Sequence, residues 1–146
     1  MTKIFLIRIF NQEFSCLGQQ FANIIEILMK DIPAVVWYAS DVDSIGDNSF
    51  ISHYTSPYPQ KIGSTEELLE FVKKVDQFLS GVFLAFPVDK GDVLSESFYT
   101  EDEPYRSIGE AILEIRPFDT SYFEVYSYRK ELIKKLDIFF AENREE

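Results

Sequence analysis

Apolar residues along the chain fall into two rhythms, and the change from one to the other predicts most of the elements. "KIFLIRIF" (3–10) is apolar on both faces except at Arg8, the pattern of an interior strand. From Leu17 the spacing lengthens: Leu17, Phe21, Ile24, Ile25 and Leu28 recur at helical intervals, predicting a helix near 16–30 that Pro33 closes. "AVVWYA" (34–39) returns to β-branched and aromatic residues and predicts a second strand. Residues 40–63 read as irregular chain, with two prolines ahead of the next helix signal. "STEELLEFVKKVDQFL" (64–79) is the clearest helix, with Ser64 and Glu67 spaced as a capping box and Leu68, Phe71, Val72, Val75 and Leu79 on one face. "GVFLAFP" (81–87) predicts a buried strand stopped by Pro87.

The polar, acidic segment 88–110 leaves room for at most one short edge strand. "AILEIRP" (111–117) and "YFEVYS" (122–127) alternate about a turn-like "PFDT", which predicts an antiparallel hairpin. A last helix is expected near 129–142, with Leu132, Ile133, Leu136, Phe139 and Phe140 facing inward. The order predicts a single α+β domain over residues 1–146: a sandwich of a mixed or antiparallel sheet with about three helices packed against it. At 146 residues such a domain buries enough surface to need no staple.

Charge adds the first functional information. The net charge is −11, and it is concentrated: residues 41–103 hold thirteen acids and four bases. A nucleic-acid partner, which would need a basic stripe, is not expected, nor is an anionic membrane surface. A basic protein partner is favoured, because concentrated charge steers encounter. Fourteen phenylalanines and Trp37 fall mostly in predicted elements, whereas Tyr54, Tyr58, Tyr99 and Tyr105 lie in the acidic, irregular segments. Tyrosine beside carboxylates is the composition of a protein-binding surface, and such rings can also fold back as lids over a core.

Catalytic and metal chemistry find little purchase. "SDVDSIGDN" (40–48) matches a calcium loop at Asp41, Asp43, Gly46, Asp47 and Ser49, but Ile45 and Ser52 occupy two ligand positions and the flanks are not helical. Two alternatives to a protein-binding module are kept: a metal-dependent hydrolase using Asp41, Asp43 and Asp47, and an adaptor or regulatory protein. One histidine, His53, and one cysteine, Cys16, could form a dyad, but no third residue is suggested by spacing, and Cys16 reads as a buried thiol. The six glycines are scattered and build no phosphate cradle. No cofactor or resident metal is expected. Arg8 interrupts the N-terminal apolar run and no later run approaches a membrane span, so a cytoplasmic location is expected.

In size, acidity and aromatic-acidic loops the chain resembles the immunity proteins that bacteria make against polymorphic or contact-dependent toxins. The segment "FDTSYFEVYSYRKELIKKL" (118–136), with "WYASD" (37–41) and "FLAFP" (83–87), is similar to an uncharacterised family of small bacterial proteins, which carries no activity across. The immunity resemblance implies a stoichiometric inhibitor whose acidic face occupies the basic groove of a toxin, commonly a nuclease. The residues expected to bind the partner come from charge and tyrosine placement alone: Asp41, Asp43, Asp47, Tyr54, Tyr58, Glu96, Tyr99, Glu101, Asp102, Glu103 and Tyr105. The seven acids among them form one anionic patch, with Tyr99 and Tyr105 as anchors, if the strands 34–39 and 81–87 run parallel, so that their following loops leave at one sheet edge.

Overall fold

The computed structural model describes residues 4–10, 16–45, 54–88, 111–118 and 122–141. They form one six-stranded sheet and three helices, an α+β fold. The strands are β1 (Phe5–Phe10), β2 (Val35–Ile45), β3 (Gln60–Gly63), β4 (Gln77–Pro87), β5 (Leu113–Phe118) and β6 (Tyr122–Ser127). The helices are α1 (Gly18–Leu28), α2 (Thr65–Lys73) and α3 (Lys130–Ala141). The sheet order is β1-β6-β5-β4-β2-β3, and every pairing is antiparallel.

One face of the sheet carries the main core. Ile7, Ile9, Val35, Trp37, Phe83, Ala85, Leu113, Ile115, Phe123 and Val125 pack with the apolar stripes of all three helices. Phe21 of α1 sits at the centre, its ring 4.8 Å from Phe83, 5.3 Å from Phe123 and 5.5 Å from Phe78, in edge-on or tilted geometry. The predicted capping box opens α2, with Ser64 Oγ accepting from the Glu67 N–H and Glu67 Oε1 accepting from the Ser64 N–H. Gly18 is where α1 meets α2: a Cβ there would lie 2.1 Å from the carbonyl oxygens of both Val72 and Val75. Only hydrogen fits between these backbones.

Five sequence expectations are corrected, the simplest being Phe139 of α3, expected to face inward and found half exposed. The second helix ends at Lys73, and residues 77–80 belong to β4. The Phe78 N–H donates to the Cys16 carbonyl at 2.7 Å, and Leu17 bridges Gln77, so pairing with the chain ahead of α1 overrides the helical spacing of Val75 and Leu79. Residues 40–45 continue β2 rather than forming a loop. Ser40 pairs with Val82 and Asp43 with Ser80, so two residues of β2 oppose one of β4 in a β-bulge. Asp41 takes φ 53° and Gly81 φ 157° there. Beyond the bulge the inward positions shift from Trp37 and Ala39 to Val42, which hid the strand's continuation from a period-two reading. Residues 60–63, read as irregular, form β3, an edge strand. The first strand, expected in the interior, is the other edge: its even positions Leu6, Arg8 and Phe10 are exposed although two of them are large and apolar.

Candidate functional site

The sheet's second face is built from the even positions of β1, β5 and β6, and the register lays them in rows across the strands. Phe10, Tyr122 and Phe118 form one row. Arg8, Glu124 and Arg116 form the next. Leu6, Tyr126, Glu114, Leu84, Tyr38 and Lys61 form a third, crossing all six strands. A smaller apolar cluster, including Val82, Leu84, Phe86 and Ala111, flanks the charged rows, and no described helix contributes to it.

The two charged rows interlock. Arg8 Nε donates to Glu124 Oε2 at 2.9 Å, and the Tyr126 hydroxyl donates to Glu124 Oε1 at 3.1 Å. Arg116 Nε donates to Glu114 Oε2 at 2.5 Å, while its guanidinium lies 5.9 Å from the centre of the Tyr126 ring. Glu114 has no solvent exposure, and its Oε1 accepts no hydrogen bond. Burial raises the Glu114 carboxyl from 4.5 to about 7, against the lowering pull of Arg116 and with a further push from Glu124. Burial likewise raises the Tyr126 phenol, helped by the charge of Glu124 and the hydrogen bond to it. The cluster can therefore hold or release one proton near neutrality. With Glu114 wholly enclosed, that proton bears on the protein's own charge balance.

Towards the β1 edge the buried cluster opens into an exposed aromatic row. Phe10 is 65 % exposed and Phe118 42 %. Tyr122 lies between them, stacked on Phe118 at 5.3 Å with 9° between planes and tilted against Phe10 at 4.9 Å. Arg8, with half its side chain exposed, sits over the Tyr122 ring at 5.5 Å. Glu124 thus anchors one arginine at the surface while Arg116 stays in the interior.

The residues expected from the sequence to bind a partner are not gathered in this way. Asp41 is half-buried in the bulge, with its N–H donating to the Ser56 carbonyl and its carbonyl accepting from the Ser80 hydroxyl. Asp43 is exposed, and its Oδ1 accepts from the Ser44 N–H. Tyr54 is half-buried against Phe71, rings 5.0 Å apart and nearly perpendicular, so it folds back over the core. Tyr58 is exposed. Asp47, Glu96, Tyr99, Glu101, Asp102, Glu103, Tyr105 and His53 lie outside the described residues. The parallel arrangement required for a single patch is absent: β2 and β4 are antiparallel, Ile45 pairing with Gln77 and Val35 with Pro87. The C-terminal ends of these strands, Ile45 and Pro87, therefore lie at opposite ends of the sheet. Among the described residues, no three His, Cys, Asp or Glu side chains converge as a metal site would require. Cys16 is buried, its thiol donating to the Tyr122 carbonyl at 3.1 Å. Among those residues no helix is long and apolar enough to cross a membrane.

Compared with family models, curated proteins and solved structures, the chain matches none. Arg8 stands out in the sequence only as a break in an apolar run, and Glu114, Arg116, Glu124 and Tyr126 do not stand out, because an alternating strand reads alike whether its polar face meets water or is enclosed. The available signal was charge complementarity, Glu-x-Arg on β5 against Glu-x-Tyr on β6, and it becomes visible only once the hairpin register is known.

Proposed function

We propose that this chain is a non-enzymatic protein-binding module whose partner is a basic protein, of the kind that toxin immunity proteins neutralise. The observation that carries the binding reading is the exposed row Phe10–Tyr122–Phe118 with Arg8 set against it. Rigid rings beside an ion-paired arginine are the composition of interface hot spots, supplying contact area at little entropic cost. The ion pair to Glu124 fixes Arg8 before a partner arrives, so less ordering remains to be done on association. The net charge of −11 supports a basic partner by steering encounter. Asp43 and Tyr58 are exposed and fit that role; Asp47, Glu96, Tyr99, Glu101, Asp102, Glu103 and Tyr105 remain proposed contributors from charge and composition.

Co-expression with the product of the adjacent gene is the direct test. A stoichiometric complex whose association slows with added salt, with a neighbour that is toxic when expressed alone, is the expected result. A neighbour that neither binds nor harms the cell removes the toxin-neutralising reading. Replacing Phe10 and Phe118 by serine without loss of affinity removes the aromatic row from the interface.

A further inference from the structure

Arg8 and the aromatic row belong to adjacent rows of one sheet face. In β1, Arg8 and Phe10 are two positions apart and so point to the same side. Glu124 lies directly opposite Arg8 in the register, and Tyr122 is one row further on. The Arg8 guanidinium spans both rows: its Nε donates to Glu124 Oε2, and its central carbon lies 5.5 Å from the centre of the Tyr122 ring. It therefore leans out of its own row towards the rings.

The pairing leaves much of Arg8 unused. A guanidinium carries five N–H donors in a rigid planar fork. Nε serves Glu124, and Arg8 makes no other hydrogen bond among the described residues. Both oxygens of Glu124 are already engaged, Oε2 by Arg8 and Oε1 by the Tyr126 hydroxyl. The groups whose charge acts on Arg8 are Glu124, Tyr122 and Tyr126, so among the described residues a single carboxylate faces it. Half of the Arg8 side chain is exposed, and Phe10 and Phe118 are exposed beside it, so unused donors and uncovered rings share one open surface. The N–H pairs of a guanidinium match the two oxygens of a carboxylate.

We infer that Arg8 receives a side-chain carboxylate of the partner protein through its Nη N–H groups, while apolar side chains flanking that acid cover Phe10, Tyr122 and Phe118. The inference rests on the reading of the aromatic row as a protein interface and adds the partner's chemistry at its centre. The two charges act at different ranges: the net charge of −11 draws a basic partner from a distance, and one carboxylate at Arg8 fixes the register on contact. An open surface suits a side chain carried by a protein face better than a chain terminus or a small ligand, which are held in nests and concave pockets. A lysine or arginine of the partner over the Tyr122 ring would lie beside the like charge of Arg8. A second copy of the row is a poor occupant, because the carboxylate it brings, Glu124, is already shared between Arg8 and Tyr126.

The test is an NMR titration of the isotope-labelled full chain with the blocked tripeptide acetyl-Phe-Glu-Phe-amide and its glutamine and lysine counterparts. The salt is about 0.15 M, where exposed charges more than about 8 Å apart are largely screened. All three peptides should shift Phe10, Tyr122 and Phe118. The glutamate peptide should bind roughly threefold or more tightly than the glutamine one, and it alone should shift the Arg8 Nε–H resonance. Arg8→Gln abolishes this preference, and Arg8→Lys, which keeps the charge without the fork, loses most of it. The preference is a ratio measured within each variant, so a change in stability does not mimic it. Equal affinity for the glutamate and glutamine peptides, tighter binding of the lysine peptide, or a preference that survives Arg8→Gln overturns the inference and leaves the row as an interface. A glutamine peptide with a free terminal carboxylate that binds as tightly as the glutamate peptide also overturns it. A row that responds to none of the peptides at millimolar concentration removes the interface reading and the inference together.

Discussion

Arg116 reaches back along its own strand to Glu114, Nε to Oε2 at 2.5 Å, and neither side chain is more than 6 % exposed. Attraction to the guanidinium does not outweigh the cost of burying the carboxylate, so Glu114 ionises near pH 7 in the fold against 4.5 in the unfolded chain. The proton it retains stabilises the native state fully below about pH 4.5, and this contribution is lost as the pH rises through about 7. Glu114→Gln abolishes the titration. The stability difference between wild type and variant should therefore shift by about 3 kcal/mol in the variant's favour from pH 4.5 to above pH 7, at roughly 1.4 kcal/mol per unit. Urea unfolding across that range measures it, and a pH-independent difference refutes the raised carboxyl.

Gly18→Ala offers a contest of signs. Helix propensity alone favours alanine by about 1 kcal/mol. The added Cβ would lie 2.1 Å from two backbone carbonyl oxygens of the α2 end, which cannot rotate away as a side chain would. The variant should be destabilised by roughly 1–3 kcal/mol, measured by chemical denaturation.

Trp37 Nε1 donates to Thr65 Oγ1 at 3.1 Å in the core. Thr65→Val keeps the shape and removes the acceptor, so the buried indole N–H costs about 1–3 kcal/mol of stability. Thr65→Ser should retain most of it. Equal loss in both variants would mean that packing, rather than the hydrogen bond, holds this contact.

Phe10→Ser with Phe118→Ser removes two exposed rings. Stability should change by no more than about 0.5 kcal/mol for each, while affinity for a captured partner falls roughly tenfold or more. Thermal unfolding and calorimetric titration separate the two effects.

The hairpin of β5 and β6, the helix α1 and the capping box of α2 were legible because each depends on residues close in sequence: a period, a turn, a cap. Where α2 gives way to β4 was not legible. Val75 and Leu79 continue a sound helical stripe, and only pairing with residues far away in the chain, Gln77 and Phe78 with Ile45 and Ser44 of β2 and with Leu17 and Cys16, turns that stretch into strand. The continuation of β2 past Ser40 was hidden for a related reason, since one extra residue at the bulge reverses the side-chain phase and makes a strand look like a loop.

The candidate site divides in the same way. Net charge, the placement of tyrosines and the scarcity of histidine and cysteine follow from composition, and they are what point towards a protein partner. Strand direction does not. Antiparallel pairing puts the C-terminal ends of β2 and β4 at opposite ends of the sheet. The α+β class, the main apolar faces and the acidic character follow from the order of residues alone. That Arg8 meets Glu124 across 116 positions, that Glu114 is enclosed, and that β1 is an edge among the described strands are consequences of packing between distant segments. Periodicity reports which side of an element is apolar; which neighbour that side meets is a property of long-range register, and no local pattern encodes it.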